Sequence, residues 1–531
     1  MKIKTWEALA ALVLVSAPVA LAQTQVVVKT ESGLVAGTGT EIHVWKGIPY
    51  ARAPVGELRW KEPQPAPPWQ GIRHAFEFGS MCPQGNPAQL KPDMSEDCLT
   101  LNVWSGAREE GARQPVLVWI HGGGFGGGSG RIDGEPLARL GMVVVSINYR
   151  LGMLGFMAHP DLTRESPHHA SGNYGLMDQI FALRWVKNNI TAFGGDPDKV
   201  SIGGGSAGGT SIGYLIASPL ARGLFQGAWL DSASRLFLPD PGLSKTLHGL
   251  TPMEQVGLHV GPHIEALRAM VTAEIMQRGA QVTKELYGEG GSGRIGLKPE
   301  SHVHLPTAAD HPWWAFTDGY VMPEELSKMF ATGRFNHVAC LIGTCRDEGL
   351  SFTRRMADLT VDGYKDYLRK YYSPVSLKMF AMYPGKTPDE IRAAITRAIT
   401  DYMFLYGSIR TADYEAAAGE PVYVGRFMHV SPGAPGVMHG ADGAYFRGDA
   451  RDGVTYGAVK YGPDDEKLSR AMMLRMAAFV KTFNPNTADS QPVWPKWAPK
   501  QPQYLEIGDE TKVLTFQDQA IINLFRKQLG Q

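Results

Sequence analysis

The sequence predicts an α/β fold with a large, mostly parallel central sheet flanked by helices. The runs Val116-Leu117-Val118-Trp119-Ile120 and Val143-Val144-Val145-Ser146-Ile147 are short, apolar and rich in β-branched residues, the makeup of strands buried on both faces. Leu176, Ile180, Leu183 and Val186 recur at helical spacing, and a strand over Lys199 to Ile202 follows the turn Gly194-Gly195-Asp196-Pro197. That strand runs into a glycine-rich turn around Ser206, with a helix expected over Ser211 to Ser218, so strand, tight turn and helix succeed one another.

The flanking elements follow in order. Val26 to Val28 and Leu34 to Ala36 read as opening β-structure, and the Pro-rich stretch from Pro54 to Pro68 wraps a surface. Residues 234–311 are the least regular, with one helical stretch over Ile264 to Met276, and read as an insertion covering a site. Strands return at Val338 to Gly343 and Pro421 to Met428, and Leu468, Met472, Met476 and Phe479 mark a late amphipathic helix.

Composition bounds the partners. With 44% hydrophobic and 20% charged residues the chain can build a sizeable core. Lys plus Arg balance Asp plus Glu at 52 each, leaving no net field for nucleic acid or an anionic membrane. Lys2 and Lys4 precede an apolar stretch from Ala8 to Leu21 that ends Ala20-Leu21-Ala22, the pattern of an export signal cut after Ala22. Residues 23–531 are then one domain, secreted or periplasmic, without stable membrane insertion. Cys82 and Cys98 flank a polar loop that a bridge would pin in an oxidising compartment. Cys340 and Cys345 would lie about 16 Å apart on an extended strand, so they are expected unpaired and buried.

The chemistry-bearing residues are separated along the chain. Gly204-Gly205-Ser206-Ala207-Gly208 matches G-x-S-x-G, whose small residues permit a strained turn that holds a serine hydroxyl out of the sheet. His121-Gly122-Gly123-Gly124-Phe125 ends a predicted strand and can aim backbone N–H groups at a developing oxyanion. A serine nucleophile needs a base oriented by a carboxylate, in the order Ser, acid, His. His429 ends an apolar strand and reads as structural, whereas His439 sits in a loop able to present an imidazole. For the acid, adjacent Asp347 and Glu348 at a strand end are equally placed.

Further motifs carry a resemblance: Gly47-Ile48-Pro49-Tyr50-Ala51, Ser95-Glu96-Asp97-Cys98-Leu99-Thr100-Leu101-Asn102-Val103, Asn148-Tyr149-Arg150-Leu151-Gly152 with Gly155-Phe156, and Asn173-Tyr174-Gly175-Leu176-Met177-Asp178-Gln179. With the serine and histidine segments, they make residues 25 to 520 resemble the type-B carboxylesterase/lipase family, which includes the cholinesterases. The resemblance implies the α/β-hydrolase fold, Glu348 as the acid, Gly123, Gly124 and Ala207 as oxyanion donors, and a Cys82 to Cys98 bridge. It also implies that Ser232 supports Glu348 and that Glu96 pairs with Arg59.

Departures bear on specificity. Many relatives carry an acidic residue just before the serine, where this chain has Gly205, so that neighbouring charge is expected to be missing. The loop between the bridged cysteines holds Ala88 and no tryptophan, which predicts poor selectivity for choline esters. Trp313, Trp314 and Phe316 lie near the family's acyl-pocket region and either line the cleft or belong to the core. Arg354 and Arg355 either attract an acidic ester or sit on a solvated helix face.

The expected protein is therefore an exported serine hydrolase of small-molecule carboxylic esters. It needs no metal or organic cofactor, and its histidines and cysteines show no zinc spacing. Two alternatives stand beside this: a lipase or detoxifying esterase, for instance of fumonisin-type polycarboxylate esters, and a cholinesterase-like binding protein without catalysis.

Overall fold

A computed structural model describes residues 25–87, 90–247, 251–287, 312–354, 356–372, 375–456 and 459–531. The export signal expected over 1–22, Ala88, Arg355 and the later part of the insertion expected over 234–311 lie outside the described residues.

Among the described residues ten strands form one sheet: β1 (His43–Pro49), β2 (Thr100–Ser105), β3 (Gln114–Ile120), β4 (Val143–Ile147), β5 (Gly195–Gly205), β6 (Gly227–Asp231), β7 (Ala339–Cys345), β8 (Val422–Phe427), β9 (Gln503–Ile507) and β10 (Lys512–Thr515). Their spatial order is β10-β9-β8-β7-β6-β5-β3-β4-β2-β1. The run from β9 to β4 is parallel, while β10, β2 and β1 each pair antiparallel with their inner neighbour. Every residue of β4 and β6 is buried, as strands covered on both faces require. The opening strands Val26–Thr30 and Gly33–Gly37 form a separate small sheet with Ile72–His74.

Three local expectations need correction. The turn expected at Gly194 to Pro197 ends earlier, because β5 begins at Gly195 and a register irregularity against Gln114 and Val116 absorbs the Asp196-Pro197 segment. The helix expected from Ser211 starts at Ala207 and runs to Ala217 (α1). Gly208 and Gly209 are poor helix formers and hid its first turn. Packing overrides propensity there, since a β-carbon on Gly208 would lie 2.1 Å from the carbonyl oxygen of Ile120.

The helix expected over Ile264 to Met276 is two helices, Ile264–Ala269 and Thr272–Tyr287. The break is held by buried Arg59, whose Nη1 donates to the carbonyls of Leu267 and Arg268 at 3.1 Å and of Met270 at 2.8 Å. Its remaining nitrogens grip Glu96 at 2.8 and 2.6 Å, and the Thr272 hydroxyl donates to Glu96 at 2.6 Å. A second buried bidentate pair joins Arg150 to Asp178 at 2.8 and 2.7 Å, tying the chain after β4 to the helix Tyr174–Asn189. Cys82 and Cys98 form a disulfide with Cα atoms 5.1 Å apart, and Cys340 and Cys345 are free and buried.

Candidate active site

Strand β5 delivers Ser206 in a backbone conformation of φ 56° and ψ −123°, which costs a non-glycine residue about 1–3 kcal/mol. The surroundings hold it there. Ser206 N–H donates to the Asp231 carbonyl at 2.9 Å, and its own carbonyl accepts from Thr210 N–H at 2.8 Å. Close approach also demands the flanking glycine, because a β-carbon on Gly204 would sit 2.5 Å from the Ile120 carbonyl oxygen.

The Ser206 hydroxyl lies 2.8 Å from His439 Nε2, and His439 Nδ1 lies 2.6 Å from Glu348 Oε2. A carboxylate only accepts, so Nδ1 carries the proton and Nε2 is left to accept from the serine. Glu348 is fully buried, and its other oxygen accepts from Cys345 N–H at 2.7 Å and from the Ser232 hydroxyl at 2.5 Å. The neighbouring Asp347 faces Arg346, whose Nε donates to it at 2.9 Å. Burial opposes protonation of His439, but the charge and hydrogen bond of Glu348, helped by Asp442, outweigh it and raise the imidazole above its ordinary value. His429 is held between Asp509 and Asp465 and edge-on to Tyr445, away from this cluster.

The glycine loop tucks against the serine. A β-carbon on Gly122 would lie 2.5 Å from the Gly205 carbonyl oxygen and 3.1 Å from Ser206 Cβ, while Gly123 and Gly124 take φ of 109° and 61°. His121 stacks on Tyr149 at 4.4 Å, and burial drives its pKa down to about 4, so the neutral ring donates from Nδ1 to the Gly122 carbonyl at 2.8 Å. Gln84 clasps Gly128 in both directions at 2.8 Å, linking the disulfide loop to this turn. Ala207 opens α1, so its N–H is one of the first-turn donors that no helix carbonyl takes up.

The side chain that Gly205 lacks is replaced in space by an acid from another strand, though not by a charge. The Asp231 carboxylate fills the room beside Gly205, with Oδ2 3.3 Å from where a β-carbon at 205 would stand. Burial, then the neighbouring Asp442, push the Asp231 carboxyl well above the usual carboxylate range, which favours its neutral form. Of the aromatic trio, Phe316 is a core residue, fully buried and bonded through its backbone to Asn173, and Trp313 is buried with it. Trp314 stands edge-on to Phe125 of the glycine loop, ring centroids 5.1 Å apart. Arg354 is exposed at the end of Leu350–Thr353, in keeping with a solvated face.

Sequence reasoning missed Phe404, whose ring lies 4.8 Å from that of His439, and Phe352 at 6.1 Å. Phe404 belongs to a π-helical segment, Thr400–Leu405, whose spacing breaks the helical periodicity that would have exposed it. Among the described residues no His, Cys, Asp and Glu group could hold a metal ion, and no helix is long and apolar enough to cross a membrane.

The sheet order, the tight turn at Ser206 and the helix behind it define an α/β-hydrolase, and the structure agrees with that of a PNB esterase at a TM-score of 0.77 and 29% identity, covering 95% of this chain and 100% of that one. The chain belongs to the carboxylesterase family, whose model matches residues 24–524, and is a carboxylic-ester hydrolase. It is 37% identical over 412 residues to a fumonisin B1 esterase of Sphingopyxis macrogoltabida, covering 76% of this chain and 71% of that one. It is 34% identical over 510 residues to the para-nitrobenzyl esterase of Bacillus subtilis, covering 92% and 96%.

Proposed function

We propose that the protein is an exported serine esterase that works through an acyl-enzyme, with residues 1–22 as the export signal and 23–531 as one catalytic domain. Ser206 attacks the ester carbonyl as His439 takes its proton, Glu348 holds the imidazole in the required tautomer, and the amides of Gly123, Gly124 and Ala207 receive the oxyanion. His439 then protonates the leaving alcohol, and water attacks the acyl-enzyme by the same route in reverse. The observation that carries this reading is the unbroken relay from Ser206 Oγ through His439 to Glu348, at 2.8 and 2.6 Å. Export is supported by the N-terminal charge and hydropathy pattern and by the Cys82 to Cys98 disulfide.

Replacing Ser206 with Ala is expected to lower turnover of 4-nitrophenyl butyrate by at least about a thousandfold while the fold survives. A fluorophosphonate probe is expected to label the wild type and not this variant. Near-normal turnover in Ser206→Ala sinks the nucleophile assignment, and an unlabelled, inactive wild type supports a non-catalytic binding protein. Resemblance to the fumonisin B1 esterase favours a detoxifying role as a second reading, tested by release of hydrolysed fumonisin B1 under mass spectrometry.

A further inference from the structure

We propose that Arg235 recognises a carboxylate carried by the ester, making the substrate a partial ester of a polycarboxylic acid or an ester of a hydroxy acid. The proposal rests on the ester-hydrolase reading above and names the substrate class of that same site.

Arg235 is brought to the site by its backbone. It follows Ser232, which supports Glu348, and Ser234, whose carbonyl accepts from the Thr210 hydroxyl at 2.9 Å in the first turns of α1. Arg235 itself takes φ of 64°, a left-handed conformation that is strained for an arginine. Its N–H fixes that turn by donating to the Met403 carbonyl at 2.8 Å, one residue before the Phe404 that packs on His439. The guanidinium carbon sits 4.7 Å from the centroid of Trp314, the ring that stands edge-on to Phe125 of the glycine loop. Arg235 thus lies between the loop beside the serine and the aromatic segment beside the histidine.

Among the described residues it meets no anion there. Arg235 is half-buried, and among the described residues no carboxylate lies within ion-pair distance of it and no acceptor takes up its guanidinium nitrogens. The nearby Asp240 accepts from the Tyr214 hydroxyl at 2.8 Å, and the Arg235 charge is felt by the phenols of Tyr214 and Tyr402 without bonding to either. Partial burial of an unpaired cation is unfavourable, and the Trp314 face offsets only part of that cost. A strained backbone spent on holding such a cation in place is better explained by a ligand than by stability. A planar guanidinium with its fork open matches a carboxylate in bidentate geometry and a flexible ammonium does not. Arg354 and its neighbours, the basic residues the sequence brought forward, are not needed for this role.

The test compares matched esters in a pH-stat. Monoethyl adipate against ethyl hexanoate places the carboxylate on the acyl part, and butyryloxyacetate against propyl butyrate places it on the alcohol part. In one of these pairs the ratio of kcat/KM, charged over neutral, is expected to fall at least about tenfold in Arg235→Gln, mainly through KM, and to recover partly in Arg235→Lys. Thermal melting checks that the Gln variant keeps the fold. An equal loss on charged and neutral esters, or no change in either ratio, overturns the assignment while leaving ester hydrolysis intact. Failure of the wild type to cleave any of the four overturns the ester-hydrolase reading and this proposal with it.

Discussion

Asp347 clasps Val437 through two bonds of 3.0 Å, its N–H donating to the Val437 carbonyl and its carboxylate accepting the Val437 N–H. The two adjacent acids therefore divide the labour: Glu348 bonds the imidazole, and Asp347 bonds the loop two residues upstream of it. Asp347→Asn keeps an acceptor and is expected to lower kcat less than about tenfold. Glu348→Gln leaves the histidine without its charged partner and is expected to cost about a thousandfold or more. Steady-state kinetics on one neutral ester decides, and the reverse ranking would transfer the acid role to Asp347.

The acid limb of the pH profile should report His439. Its raised pKa means that kcat/KM falls, as pH drops, at a pH above that of an ordinary histidine, about 6.5. In Glu348→Gln the burial that opposes the imidazolium is no longer outweighed, so the pKa moves down. Titration of the His439 ring by NMR in both proteins checks the sign, and an upward move contradicts it.

Two glycines near the serine should respond differently to one added methyl. At Gly208 the new carbon meets backbone at 2.1 Å, whereas at Gly205 it meets the end of the Asp231 side chain at 3.3 Å. Gly208→Ala is expected to abolish soluble folded protein, and Gly205→Ala to melt within a few degrees of wild type. Comparable yield and melting temperature for both would show that the Ile120 contact yields easily.

Asp178→Asn leaves the buried Arg150 guanidinium without its counter-charge. Such a removal costs about 3–5 kcal/mol, to be read from the urea midpoint at unchanged slope. A loss below about 1 kcal/mol would mean that water reaches Arg150.

What the sequence made legible was local. Ser206 lies in a turn whose glycines are dictated by contacts at hand, and chain order left His429 and His439, of which the loop setting chose His439. Spacing left Asp347 and Glu348 tied, and only the family resemblance chose Glu348; the physical reason lies in the tertiary position of Cys345 N–H and the Ser232 hydroxyl. The break after Ala269 was hidden because Arg59, some two hundred residues earlier, takes up its carbonyls. Likewise Gly205 looks like a lost acid in one dimension, while the Asp231 carboxyl arrives beside it from the next strand, raised out of the usual carboxylate range by burial.

The end of β6 holds both termini of the proton relay: the Asp231 carbonyl takes the Ser206 N–H and the Ser232 hydroxyl reaches Glu348. Consecutive residues cannot move independently, so any sliding of this strand carries the serine and the glutamate the same way. A shift of that strand end is thus passed to both partners of the imidazole at once.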